Sequence, residues 1–251
     1  MAIIDAPNML VRLMAWLGGA AFVASLGFCA WAYLITWSTP ACSAMSWRAL
    51  AVNALLLSVF AIHHSLFARD GVKRWLSQAI PPGLLRSFYV WIASGLLVAV
   101  IWLWQPVGGD IYRLGGWSAW IGAAVQLLGI WLIVQSVRAI DALDLAGIRQ
   151  ATPTPALSDV EGPALPATPA PPALIVRGPY RLVRHPLYLG WVLVTFCTAH
   201  LTGDRLAFAV LTTLYLMVAV PWEERSLAGT FGEEYARYSA RVRWRMLPYL
   251  Y

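Results

Sequence analysis

Charge is what this chain of 251 residues has least of: Asp, Glu, Lys and Arg together make up 12% of it, against 60% hydrophobic residues. Ordinary soluble domains carry roughly twice that share of charge, and the mean hydropathy of +0.65 excludes such a domain. Cysteine is also scarce. Cys29, Cys42 and Cys197 are odd in number and far apart, which excludes a disulfide framework and a cysteine zinc cluster. Lysine is almost absent, since Lys73 is the one lysine among 18 basic residues. A net charge of +6 would suit nucleic acid, but in a membrane protein the positions of the charges carry the information. Disorder over the whole chain is excluded by 14 Trp, 10 Tyr and 8 Phe.

What is present is a series of long apolar runs. A hydrocarbon core about 30 Å thick takes roughly 20 helical residues to cross. Charge-free stretches near 13–37, 49–68, 87–105 and 117–137 meet that length. Two shorter runs, near 187–201 and 206–222, read as a tight helical hairpin whose turn, Leu201 to Arg205, reaches the opposite surface. The first run is too long for a signal peptide's apolar region of about 7–15 residues. The expected fold is therefore all-α and integral to the membrane, with about six transmembrane helices.

The segments expected on one side of the bilayer hold 15 of the 18 basic residues, leaving Arg48, Arg113 and Arg205 on the other. By the positive-inside rule both termini are cytoplasmic and the protein is a multi-pass cell (inner) membrane protein. Trp37, Trp47, Trp102, Trp104 and Trp117 fall at the outward ends, as an aromatic belt would. Asn53, Gln126 and Thr195 read as interhelical hydrogen-bonding residues, and Gly122 and Gly129 as a close-packing face.

Residues 150–173 hold seven of the 16 prolines and cannot form a continuous helix. They divide the chain into a four-span region (1–149), a Pro/Ala-rich cytoplasmic loop (150–176) and a C-terminal region (177–251). The chemistry concentrates in the last. Pro186 suits the first turn of a helix, which leaves His185 at its lip beside unpaired backbone donors. With Arg184 adjacent, that position attracts an anionic group such as a carboxylate. Tyr188 and Gly190 follow one turn in. At the far end of the hairpin, Glu223 and Glu224 place two carboxylates at a membrane mouth, where they are costly unless paired or useful. Folding 187–222 back on itself brings both signs of charge to one rim, as a zwitterionic ligand needs. Leu227, Phe231, Tyr235, Tyr238 and Val242 recur at helical spacing and form the apolar stripe of a C-terminal cytoplasmic amphipathic helix.

The ordered set Gly178-Pro179-Tyr180, Arg184-His185-Pro186, Tyr188, Gly190, Glu223-Glu224, Leu227, Phe231-Gly232, Tyr235, Tyr238 and Pro248 resembles the isoprenylcysteine carboxyl methyltransferase superfamily of integral membrane enzymes. His63 to Arg69 and Asp141 to Gln150 are similar to its branch of methanethiol S-methyltransferases and membrane proteins associated with nitrogen-oxide reduction. The resemblance implies a methyltransferase that uses S-adenosyl-L-methionine, with a pocket open to the cytoplasm and an acceptor arriving from the membrane. It implies that Gly178, Tyr180, Arg184, His185, Pro186, Tyr188, Gly190, Glu223, Glu224 and Tyr235 surround the cofactor. Arg184 and Glu224 stand nearest the chemistry as the expected catalytic pair. His64, Asp144 and Arg149 are expected on the acceptor side. The acceptor is a small thiol or a lipid-soluble thiol or carboxylate, with membrane lipid the other partner and neither nucleic acid nor metal expected. The rival readings are an isoprenylcysteine-type carboxyl O-methyltransferase, a non-catalytic or haem-binding accessory protein of nitrogen-oxide respiration drawing on His63, His64 and His185, and a transporter.

Overall fold

The computed structural model describes residues 6–67, 69–80, 82–140, 143, 148 and 173–251. The run 150–172 and two acceptor-side candidates, Asp144 and Arg149, lie outside the described residues. Among those described, five helices are long and apolar enough to cross a membrane. They are α1 (Ala6–Leu34), α2 (Trp47–Phe67), α4 (Pro82–Trp102), α5 (Gly116–Ile140) and α7 (Gly203–Phe231). A short α3 (Asp70–Leu76) follows α2. The protein is an all-α membrane protein whose strands are limited, among the described residues, to the ribbon of β1 (Asp110–Arg113) and β2 (His200–Thr202), paired antiparallel.

The expected fifth span departs from a simple helix. α6 runs only from Pro186 to Phe196, 11 residues, about 16 Å at 1.5 Å per residue. It then gives way to Cys197–Ala199 and the extended β2. A helix that stops inside hydrocarbon leaves carbonyls that no water can satisfy, and here side chains take that role. Gln126 Nε2 donates to the Val194 carbonyl at 2.8 Å, Tyr112 Oη to that of Phe196 at 2.7 Å, and Tyr33 Oη to that of Thr195. The Cys197 N–H closes the last turn on Leu193. The apolarity of residues 197–201 suggested helix, but three imported donors make the break affordable.

The hairpin turn does not lie open at the surface either. Asp204 and Arg205 are 3% and 5% exposed. Asp204 accepts from Trp104 Nε1 and the Val107 N–H, each at 2.8 Å. Arg205 donates to the carbonyls of Tyr33, Leu34 and His200 at 2.9, 2.9 and 2.6 Å. Trp37 and Trp104 belong to this buried end, with rings 4.7 Å apart. Trp47, Trp102 and Trp117 remain outward and exposed, as a belt requires.

Two glycines set the spacing of α5 and α6. A Cβ on Gly190 would stand 2.6 Å from the Gly129 carbonyl oxygen, and one on Gly129 would stand 2.7 Å from that of Gly190. Backbone therefore meets backbone, the arrangement that small residues permit between membrane helices. In α7, Pro221 cannot donate to the carbonyl of Met217, and Tyr251 Oη supplies the missing donor at 2.9 Å. The stripe from Leu227 to Val242 is two helices, not one. Gly232, at φ +51°, breaks it between α7 and α8 (Glu233–Arg241).

Replacing Gly190 with Ala must push α5 and α6 apart, which costs about 1–3 kcal/mol as for other overpacked cores. Gly27→Ala, whose Cβ meets nothing within 4 Å, is the neutral control. Thermal unfolding in detergent is expected to show a lowered midpoint for the first variant only.

Candidate active site

The chain approaches α6 through a 3-10 turn, Gly178–Arg181, that Gly178 permits at φ +61°. Beyond it, Arg184 and His185 join the C-terminal segment through their backbone. The Arg184 N–H donates to the Trp244 carbonyl at 2.9 Å, and the His185 N–H to that of Arg245 at 2.8 Å. α8 lies across this junction, and Tyr238 Oη donates to the Tyr180 carbonyl at 2.8 Å. Leu174 and Val176 pack onto Tyr235, Tyr238 and Val242, so the stripe is buried against the segment leading into the site.

These elements enclose a cavity of about 290 Å³, at the small end of the range for small-molecule sites, about 300–1,000 Å³. Tyr180, Arg184, His185, Tyr188, Glu223 and Tyr235 line it, together with Tyr238 and apolar residues that include Ile140, Leu227 and Phe231. Six of the ten residues expected around a cofactor thus converge. Gly178, Pro186, Gly190 and Glu224 do not line the cavity: Gly178 shapes the approach, Pro186 starts α6, and Gly190 is used up against Gly129.

Glu224 is a brace. Arg184 Nε donates to its Oε1 at 2.6 Å and Arg245 Nε to its Oε2 at 2.9 Å, while the carboxylate is 11% exposed. Arg184 Nη1 also donates to the carbonyls of Val242 and Arg243 at 2.9 and 3.1 Å. The pair expected to stand nearest the chemistry therefore neutralises itself and ties α6, α7 and the C-terminal segment together. Arg245 went unnoticed in the sequence because its partner lies 21 residues away.

Glu223 is different. Its side chain is 46% exposed and receives one hydrogen bond, from Tyr188 Oη at 2.8 Å. The His185 ring stacks on Tyr188 with centroids 5.3 Å apart. Its Nε2 approaches Glu224 at 3.4 Å without hydrogen-bond geometry, so Nε2 is buried and unpartnered, as is Tyr235 Oη. Buried polar atoms are rarely left so, and these two line the same cavity. Burial pushes the Tyr180 phenol up to about 12, and the nearby Glu223 charge adds to that. Tyr238 also rises to about 12 through burial, with the Arg184 charge opposing. The wall thus presents neutral, electron-rich phenol rings at physiological pH, a lining suited to a cation, beside one available carboxylate.

The isoprenylcysteine carboxyl methyltransferase family matches residues 169–229, which contain most of this site. Over 196 residues the chain is 38% identical to methanethiol S-methyltransferase 2 of Bradyrhizobium diazoefficiens, covering 78% of this chain and 72% of that protein. The chain belongs to the isoprenylcysteine carboxyl methyltransferase superfamily. It is 33% identical over 204 residues to methanethiol S-methyltransferase of Pseudomonas deceptionensis, with 78% and 72% covered. Nurim of Xenopus laevis is 30% identical over 190 residues, with 72% and 64% covered. No solved structure matches. As a family member this protein is a multi-pass membrane methyltransferase that works with a methyl donor, which replaces the accessory-protein and transporter readings. The haem reading also loses its geometry, since His185 contacts Tyr188 and the two glutamates whereas His63 and His64 contact Tyr89.

Glu224→Gln leaves the Arg184 charge, 10% exposed, without its carboxylate, which costs about 3–5 kcal/mol. Glu223→Gln, half-exposed with one hydrogen bond, is expected to cost less than about 1 kcal/mol. Denaturation of the two variants in detergent micelles checks the contrast.

Proposed function

We propose that the protein transfers a methyl group from S-adenosyl-L-methionine to methanethiol or a similarly small thiol, at the cytoplasmic face of the cell membrane, with both termini cytoplasmic. The observation that carries this is the cavity at the head of α6, with one available carboxylate, two unpartnered buried polar atoms and a tyrosine wall. The relatives named methanethiol S-methyltransferase supply the acceptor, and the one-sided basic residues supply the orientation.

The residues fit that cofactor. Glu223 is the group for its amino nitrogen or ribose hydroxyls. His185 Nε2 and the remaining Arg184 N–H groups suit its carboxylate. Tyr188, Tyr235 and Tyr238 offer aromatic faces to adenine and to positive charge. When bound, the cofactor supplies an electrophilic methyl on a sulfonium. The chain's own part is to position that group and exclude water. Closure by α8 and the apolar residues Leu227 and Phe231 keeps the surroundings dry, which favours a reaction in which opposite charges cancel. The Glu224 brace holds His185 and Glu223 in place without touching the ligand.

Purified protein in lipid nanodiscs is expected to bind labelled S-adenosyl-L-methionine and to methylate methanethiol in preference to a farnesylated cysteine analogue. Glu223→Gln and His185→Ala should each weaken cofactor binding about 10- to 100-fold, the worth of a charge-assisted hydrogen bond. Full binding in both variants overturns the site assignment, and transfer only to the farnesylated carboxylate overturns the acceptor.

A further inference from the structure

Six buried side-chain polar atoms lack a hydrogen-bond partner among the described residues. Two line the cavity already described. Three others, His63 Nδ1, His63 Nε2 and Arg86 Nε, form a second group about Tyr89, where α2 meets α4. The His63 ring stacks on Tyr89 with centroids 5.7 Å apart and an interplanar angle of 8°. The Arg86 guanidinium sits over the Tyr89 ring, 5.4 Å from its centroid. His64 Nδ1 shares a hydrogen bond with Tyr89 Oη. This cluster has no structural use for its spare polar atoms, and the mechanism above does not employ it.

Its position relative to the donor cavity follows from α7. Tyr215 packs edge-on against His64, with centroids 6.1 Å apart. It is also within electrostatic reach of Tyr188 and Glu223, two lining residues of the donor cavity. One turn further out, Trp191 Nε1 donates to Thr212 Oγ1 at 2.9 Å and closes the seam between α6 and α7. Tyr215 is thus the residue the two groups share, in ring contact with His64 and within electrostatic reach of Tyr188 and Glu223.

The geometry points to this group as the acceptor pocket, in which His64 takes the proton of the incoming thiol and Arg86 holds the resulting thiolate. A thiol has a pKa of about 8.5 or higher, so at neutral pH most of it needs deprotonation before it is a good nucleophile. Here the S–H bond breaks heterolytically, its electron pair stays on sulfur, and the proton moves to the imidazole. For that, His64 Nδ1–H donates to Tyr89 Oη, and the Nε2 lone pair, 3.4 Å from the same oxygen, turns to receive the proton. This is the arrangement of a base oriented by a third group. Tyr89 is a positioning residue that fixes the tautomer and ring angle. Arg86 supplies the positive charge and a spare N–H donor, and His63 presents further unpartnered ring nitrogen. The inference rests on the thiol reading of the acceptor.

The test uses the full chain in nanodiscs with ring-labelled histidine. The chain has four histidines, so the imidazole spectrum holds few signals. Adding ethanethiol to cofactor-free protein is expected to move one signal toward the imidazolium position. That signal should be missing in His64→Gln, and in Arg86→Gln it should no longer respond to the thiol. In turnover, His64→Gln should lower transfer to methanethiol by about 10²- to 10⁴-fold, the usual range for a general base. It should spare an aromatic thiol already ionised at neutral pH, lowering that rate no more than a few-fold. Tyr89→Phe, which keeps the packing, should show the same selectivity to a smaller degree. Equal losses on the two thiols, or a thiol-responsive signal that survives in His64→Gln, overturn the proposal. Wild-type protein that methylates neither thiol overturns instead the acceptor reading on which it rests.

Discussion

Glu224 is the carboxylate on which the site depends. Two parts of the chain far from it in sequence, the lip of α6 with Arg184 and His185 and the segment after α8 with Arg245, place groups against this residue of α7. In water such ion pairs contribute little. At a membrane mouth, with the carboxylate nearly buried, each partner that is removed leaves a charge that the surroundings cannot solvate. The brace therefore converts a scarce resource, charge, into fixed geometry. Glu223, one residue away, is left free because its neighbour has absorbed the arginines. Adjacent identical side chains thus have opposite placements, one holding the frame and the other facing the cavity.

The same accounting of polar groups explains the shape of α6. Its start is set by Pro186 and its end by three donors from α1, β1 and α5. Hydrocarbon tolerates an interrupted helix only where protein supplies the partners that water would. That the interruption coincides with the close α5 and α6 approach is consistent with both: Gln126 can reach the Val194 carbonyl because Gly129 and Gly190 let the backbones meet.

Long apolar runs made the spans legible in the sequence, since the length needed to cross a bilayer is a property of each run by itself. The ordered motif after residue 177 likewise marks Tyr180, Arg184, His185, Tyr188, Glu223 and Tyr235, which line the cavity. What stayed hidden depended on pairing across the chain. Residues 197–201 continue the apolar run in sequence and leave the helix because donors from elsewhere reach the carbonyls of Val194, Thr195 and Phe196. Trp37 and Trp104 have the position of belt residues, but Asp204 recruits Trp104 inward. Glu224 read as a cavity residue because Arg245, which occupies its second oxygen, carries no motif of its own. Gly190 read as space for a cofactor, and its space is taken by Gly129. The break in the apolar stripe at Gly232 was visible only as a glycine within a pattern that otherwise continued.

The contact between Gly129 and Gly190 also divides the molecule by its capacity to change. With no side chain between the two backbones, α5 and α6 have no volume to exchange, and a mutation there must displace a whole helix. The donor-side wall built on α6 is accordingly a fixed jig. α2, α4 and the outward half of α7 meet through rings and long side chains, which can be traded for others of different size. With the donor and acceptor sites as proposed, divergence toward new acceptors has its room on that side, while the methyl donor keeps the same seat.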